Sequence, residues 1–364
     1  MNILIFFIVL LVLVIVHECG HFFAAKKFGI RVDEFGFGFP PKLFGKKIGE
    51  TEYTFNLIPL GGFVKIFGEN PNEENTSGPD SARSMINKPK WQQAIVLFGG
   101  VFANFLLAWL LFSVGFMSGL PASVGSMDGY EVKDAKLMVL SVLPDSPAQK
   151  AGLISGDKIL KISSKDAVLE ELNPEKLKEF IISHSTEELT IDYERAIGEF
   201  SAVSLMPTSK LSNGSTGIGI SMDQVGIVQF SFFEAFWKGA QMTWHMAIGT
   251  ATGLFHLVVD GLQGNGDLSS ITGPVGMVSI VGQAYDFGIV YLLSFAALIS
   301  INLAIINLVP FPALDGGRLL FLLIEKIKGS RLSPSFSNVA NMVGFALLII
   351  LMLFVTYKDI TKLM

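Results

Sequence analysis

Cysteine is almost missing from this chain, since 364 residues contain only one, Cys19. A lone thiol excludes an internal disulfide framework and any cysteine-rich metal site. Charge is scarce as well. Asp, Glu, Lys and Arg make up 16% of the residues, against about 25% in soluble domains. The net charge of −5 is small. No basic stretch interleaved with aromatics marks a nucleic-acid surface, so no nucleic acid is expected as a partner. The 37 glycines follow no repeat period, which excludes a solenoid or propeller. Apolar residues are what the chain has in abundance. Half of it is hydrophobic and its mean hydropathy is +0.52, so a polytopic α-helical membrane protein embedded in the lipid bilayer is expected.

The apolar runs set the organisation. Ile3 to Ala25 is long enough to cross a bilayer and ends at Lys26-Lys27. No Lys or Arg precedes this run and no small-residue cleavage site follows it, so it reads as an uncleaved first transmembrane helix over residues 1–27. Three further spans are expected over 91–118, 288–317 and 338–358, the third carrying Asn302 and Asn307. Residues 28–90 form a cytoplasmic or membrane-associated β-loop region, 122–208 a domain of ordinary soluble composition, and 209–287 a linker with an interfacial helix. Within that linker, residues 230–262 mix Trp237, Trp244 and several Phe with His245, His256 and Lys238. That mixture suits a helix lying at the interface better than one crossing the core. Positive charges flank the connections between spans one and two (Lys26, Lys27, Lys42, Lys46, Lys47, Lys88, Lys90) and between spans three and four (Lys326, Lys328, Arg331). Both connections are therefore expected on the cytoplasmic side, with the soluble domain outside.

Inside the first span stands His17-Glu18-Cys19-Gly20-His21. Residues four apart on a helix lie one turn apart and about 40° around the axis, so both imidazoles can reach one zinc ion. Glu18 falls on the adjoining face, where it can act as a base on water. Ionisable side chains within a membrane helix are costly and mark function; the rival is a packing or proton-relay cluster. A catalytic zinc site uses three protein ligands. Asp315, in Asn307-Leu308-Val309-Pro310-Phe311-Pro312-Ala313-Leu314-Asp315-Gly316-Gly317, is the candidate third, because Pro310 and Pro312 break the helix beside it. Its alternative role is to cap the helix that follows.

HExxH in the first span, with NxxPxPxLDG closing a later one, resembles the site-two protease family of intramembrane zinc proteases, most closely its bacterial branch that resembles the regulator of sigma-E protease. The resemblance extends over nearly the whole chain. Further matching stretches are Phe35-Gly36-Phe37-Gly38, Pro59-Leu60-Gly61-Gly62-Phe63-Val64-Lys65 and Thr272-Gly273-Pro274-Val275-Gly276. At Phe98-Gly99-Gly100-Val101-Phe102-Ala103-Asn104 the chain departs from the family's usual Gly-Pro before the Asn. The resemblance implies one zinc per chain on His17, His21 and Asp315, with Glu18 as catalytic base. It implies a multi-pass protein of the bacterial inner membrane whose active site faces the cytoplasmic side. Its substrates would be transmembrane segments of single-pass proteins, such as anti-sigma factors or remnant signal peptides, trimmed beforehand by another protease. Ligands meet only if spans one and three run in the same direction, which requires four spans and leaves 230–262 interfacial or partly inserted.

Two β-prone runs, Tyr53 to Leu57 and Phe63 to Phe67, flank the Pro59–Gly62 turn and predict a hairpin. Its edge, with Gly62, Phe63, Val64 and Lys65, can hold an unwound substrate by strand addition, and the resemblance gives Asn302 and Asn307 a substrate-holding role. Ser146-Pro147-Ala148 with Ala151-Gly152-Leu153 and Gly156-Asp157 resembles the signature of bacterial PDZ domains, here a single unit of α+β type. Filtering by size, peptide capture and a structural lid all remain open for it. Two other functions compete with proteolysis. A non-catalytic PDZ-bearing adaptor would have lost the base or a ligand, yet all four residues are present. A zinc transporter would want His or acidic residues in several spans, and spans two and four supply none.

Overall fold

The computed structural model describes residues 1–69, 73–124, 132–195, 198–208, 216–264 and 272–363. Parts of the expected outer domain (125–131 and 196–197) and linker (209–215 and 265–271) lie outside the described residues. The chain forms two compact units, one of Met1–Gly115 with Phe232–Met364 and one of Phe116–Ser231.

The first unit begins with α1 (Asn2–Lys27), β1 (Val32–Ile48), β2 (Thr51–Ile66), the short α2 (Glu73–Ser77) and α3 (Lys90–Ser118), whose last residues enter the second unit. The second unit holds β3 (Leu120–Ser123), β4 (Lys133–Val142), α4 (Pro147–Lys150), β5 (Lys158–Ser163), α5 (Pro174–Ser183), β6 (Leu189–Glu194), β7 (Phe200–Leu205) and β8 (Ile220–Val228). The chain then returns to the first unit through α6 (Phe232–Leu262), α7 (Pro274–Asp286), α8 (Ile289–Leu308), α9 (Asp315–Lys328) and α10 (Pro334–Leu363).

Among the described residues, α1, α3, α8 and α10 are long and apolar enough to cross a membrane. The 31-residue α6 does not qualify; Phe233, Trp237, Trp244 and Phe255 lie exposed along it. On α1 the buried residues are Leu13, His17, His21 and Ala25, a stripe advancing one turn at a time. Much of the rest of the helix leaves large apolar side chains such as Ile3, Leu4, Ile8 and Val12 open, as a lipid-facing surface requires.

Two expectations need correction. The third span does not run to residue 317. Helix α8 ends at Leu308, and a turn over residues 309–314 separates it from α9. Pro310 and Pro312 cannot donate backbone hydrogen bonds, so the ladder stops. The turn closes instead through Val309 N–H to Ile306 O (3.1 Å) and Leu314 N–H to Phe311 O (3.2 Å). It passes through a left-handed Ala313 (φ 75°), whose N–H is held by Asn341 Oδ1 of α10 at 3.1 Å. Gly316 and Gly317 let the first turn of α9 fold back on the break, since a Cβ at Gly316 would stand 2.3 Å from Leu308 O.

The hairpin also has a different turn. It reverses at Gly49-Glu50, with Ile48 opposite Thr51, and not at Pro59–Gly62. The runs around Tyr53 and Val64 do not pair with each other; both pair with β1, where Phe35 is opposite Tyr53 on one side and opposite Val64 on the other. Residues 34–37 thereby have partners on both edges, which satisfies more backbone than a direct pairing of the two β2 runs. The stretch Gly62–Ile66 is left as the outer edge.

In the second unit a six-stranded antiparallel sheet has the order β3-β8-β4-β5-β6-β7. Its core includes Val139, Ile159, Ile162, Leu177, Leu189 and Ile191. Asn173 caps α5, accepting from Lys176 N–H at 2.8 Å, with Pro174 at the first helical position.

Candidate metal centre

His17 and His21 reach the interior because they lie on the buried stripe of α1, and Asp315 reaches it because the proline turn starts α9 there. Three donor atoms converge. His17 Nε2 lies 3.1 Å from Asp315 Oδ2 and 3.1 Å from His21 Nε2, and His21 Nε2 lies 3.2 Å from Asp315 Oδ2. Zinc with bonds of about 2.0–2.1 Å to three corners of a tetrahedron would hold its donors roughly 3.3 Å apart. The triangle therefore fits zinc with very little adjustment. Among the described residues it is the one group of three or more His, Cys, Asp or Glu whose donors can share an ion. Neither His245, bonded to Gln241 O of its own helix, nor Cys19 takes part.

The helices behind the triangle come very close. A Cβ on Gly20 would sit 2.1 Å from Gly99 O, and one on Gly100 would sit 2.4 Å from His21 Nε2 and 2.7 Å from His17 Nε2. Glycine at these positions lets α3 back directly onto the imidazoles. The outer nitrogens are engaged too: His21 Nδ1 meets Val96 O at 2.8 Å, and His17 Nδ1 meets the side chain of Asn104 at 3.2 Å. In the sequence the Gly99–Asn104 stretch stands out only as a departure from the family's usual Gly-Pro before the Asn. No sequence signal shows that it touches the histidines, because that depends on how two helices cross.

A cavity of about 310 Å³ opens beside the triangle, lined by Glu18, Phe63, Val64, Glu69, Leu303 and Asn307 among others. Glu18 faces it, beside Phe63 and Val64 of the sheet edge. Glu69 is paired with Arg318, one turn into α9. The substrate-holding candidates separate. Phe63, Val64 and Asn307 line the cavity. Gly62 is buried nearby, its Cβ position 3.9 Å from Glu18 Cγ. Lys65 is exposed, and Asn302 instead accepts from Thr250 Oγ1 of α6 at 3.0 Å.

Two buried histidines of a helix fit to cross a membrane, a half-buried aspartate at the start of α9 and a glutamate beside them are the donor set and acid of a metalloendopeptidase. The chain belongs to peptidase family M50, whose sequence profile matches residues 5–351. It is 31% identical to zinc metalloprotease RasP of Shouchella clausii, over an alignment of 448 positions that covers 100% of both chains. It is 30% identical to RasP of Geobacillus kaustophilus over 99% of this chain and 98% of that one. Against Protease RseP of Yersinia pestis the identity is 29%, over 98% of each.

Proposed function

We propose that this chain cleaves transmembrane segments of single-pass proteins inside the bilayer, with His17, His21 and Asp315 holding one zinc ion and Glu18 serving as base. The observation that carries this reading is the donor triangle sharing one cavity with Glu18 and the Gly62–Ile66 edge. Zinc held there supplies Lewis acidity toward a peptide carbonyl and toward water. Glu18 takes the proton of the attacking water and delivers it to the leaving amide nitrogen.

A helical substrate hides its peptide bonds, so it must be unwound before cleavage. An extended strand laid along Gly62, Phe63, Val64 and Lys65 would be held by main-chain bonds, with the Asn307 amide on the opposite wall. Asn302, already bonded to Thr250, acts at most by supporting α8. The positive charges flanking the spans put the metal end of α1 toward the cytoplasm and the second unit outside. For that second unit a single PDZ domain is the reading, resting on its Ser146–Asp157 motif. The alignment with RasP, longer than this chain, agrees with a relative that carries additional residues. A groove between α5 and the Thr216–Met222 segment, about 160 Å³, is where a peptide would enter if the unit captures substrates. Prior trimming by another protease follows if it filters them by size.

Glu18→Gln tests the central claim. The variant should keep its zinc and lose cleavage of a membrane-embedded model substrate by about 100- to 10,000-fold. Wild-type turnover in that variant would refute the role of Glu18.

A further inference from the structure

Asn104 is completely buried, and it connects three helices of the first unit. Its backbone carbonyl accepts from Ser300 Oγ of α8 at 2.9 Å. Its side-chain amide lies 3.2 Å from His17 Nδ1, through the nitrogen Nδ2, while the amide oxygen Oδ1 is buried without a hydrogen-bond partner. Nothing in the activity described above uses this residue.

The chemistry of the two histidines shows what it does. An imidazole that presents the Nε2 lone pair to a metal carries its proton on Nδ1, and that N–H calls for an acceptor. His21 has one in the carbonyl of Val96 at 2.8 Å. For His17, the hydrogen bond made by Nδ1 among the described residues goes to Asn104. With the amide nitrogen toward Nδ1, His17 would have to accept there and carry its proton on Nε2, inside the donor triangle. That tautomer cannot give Nε2 to a metal. A half-turn of the amide exchanges nitrogen for oxygen with almost no change in shape, and it brings the unpartnered Oδ1 to the Nδ1–H.

We propose that Asn104 is a positioning residue of the metal centre: its amide oxygen accepts the Nδ1–H of His17 and fixes the tautomer whose Nε2 binds zinc. The Ser300 bond holds the α3 backbone so that the amide stays in register with α1. This inference rests on His17 being a ligand, and the test separates the two claims.

The experiment measures zinc affinity of the purified full-length protein in detergent by competition with a chromophoric chelator, with the melting temperature of the zinc-free protein recorded alongside. Asn104→Ala should weaken zinc binding roughly 10- to 100-fold. Asn104→Leu keeps the number and branching of the side-chain heavy atoms while removing both polar ones, and should do likewise, which covers an alanine chain that does not fold. Asn104→Asp retains an acceptor and no donor, and should stay within about threefold of wild type. Wild-type affinity in the leucine variant would overturn the proposal, and so would an aspartate variant as weak as the leucine one, since the amide would then act as a donor. His17→Ala provides the separate check. If that chain still binds zinc at full stoichiometry and affinity, the ligand set itself is wrong.

Discussion

Gly100 shows how little room the metal centre leaves. A methyl group there would overlap both Nε2 atoms, at 2.4 and 2.7 Å, so Gly100→Ala should abolish zinc binding even where the chain still folds. Metal analysis of the purified variant checks this; full zinc content would mean that α3 can retreat. The three side chains that converge were legible as candidate donors from residue types and spacing: His17 and His21 stand one turn apart, and Asp315 follows a proline break. Gly100 and Asn104 were not, because their importance arises where α3 crosses α1, and no local pattern encodes a crossing point. Lys65 and Asn302 illustrate the opposite limit. Both sit in stretches that resemble the family, yet one side chain is exposed and the other is engaged by Thr250.

Among elements, the edge of β2 carries the most specific expectation. Val64 lies on the outer edge of the sheet and lines the cavity with Glu18, so Val64→Pro interrupts main-chain pairing with an added strand while an edge position can accommodate the ring. Cleavage should fall by about tenfold or more, the worth of one well-made hydrogen bond, while zinc content stays at the wild-type value. A variant that cleaves normally would remove strand addition at Val64 from the mechanism. Alternating β-prone residues marked both runs of β2 correctly, but periodicity does not name a strand's partner, and β1 took both. A second element is held from a distance. Asp359, buried in α10, accepts from Gly273 N–H at 3.1 Å and Gly276 N–H at 2.8 Å, capping the start of α7. Asp359→Ala should cost roughly 0.5–2 kcal/mol, read as faster amide exchange over residues 273–277. The Thr272–Gly276 stretch stood out in the sequence, whereas its cap lies 86 residues from Gly273 and gave no local sign.

At the scale of the molecule, the two units have separate cores and should respond separately. In the second unit Asp157 is fully buried, accepting from Arg195 Nε and Nη2 at 2.9 and 2.8 Å and from Ile154 N–H at 2.9 Å. Asp157→Ala leaves the Arg195 guanidinium without that partner and should lower the melting temperature of this unit. Zinc content, set by the first unit, should not change; a parallel loss of zinc would show that the units fold as one. The four spans were legible because long apolar runs report membrane crossing directly. The interruption of the third was visible as two prolines, and the helix that follows it in the alternative reading of Asp315 as a cap.

The span between the donors has a consequence for how the enzyme comes into being. His17 and Asp315 are 298 residues apart, so a ribosome has made most of the protein before the third donor exists. Throughout its own insertion the growing chain carries two histidines and a base but no complete centre. On the proposed ligand set, three donors can hold zinc only once the proline turn has set Asp315 beside the two histidines.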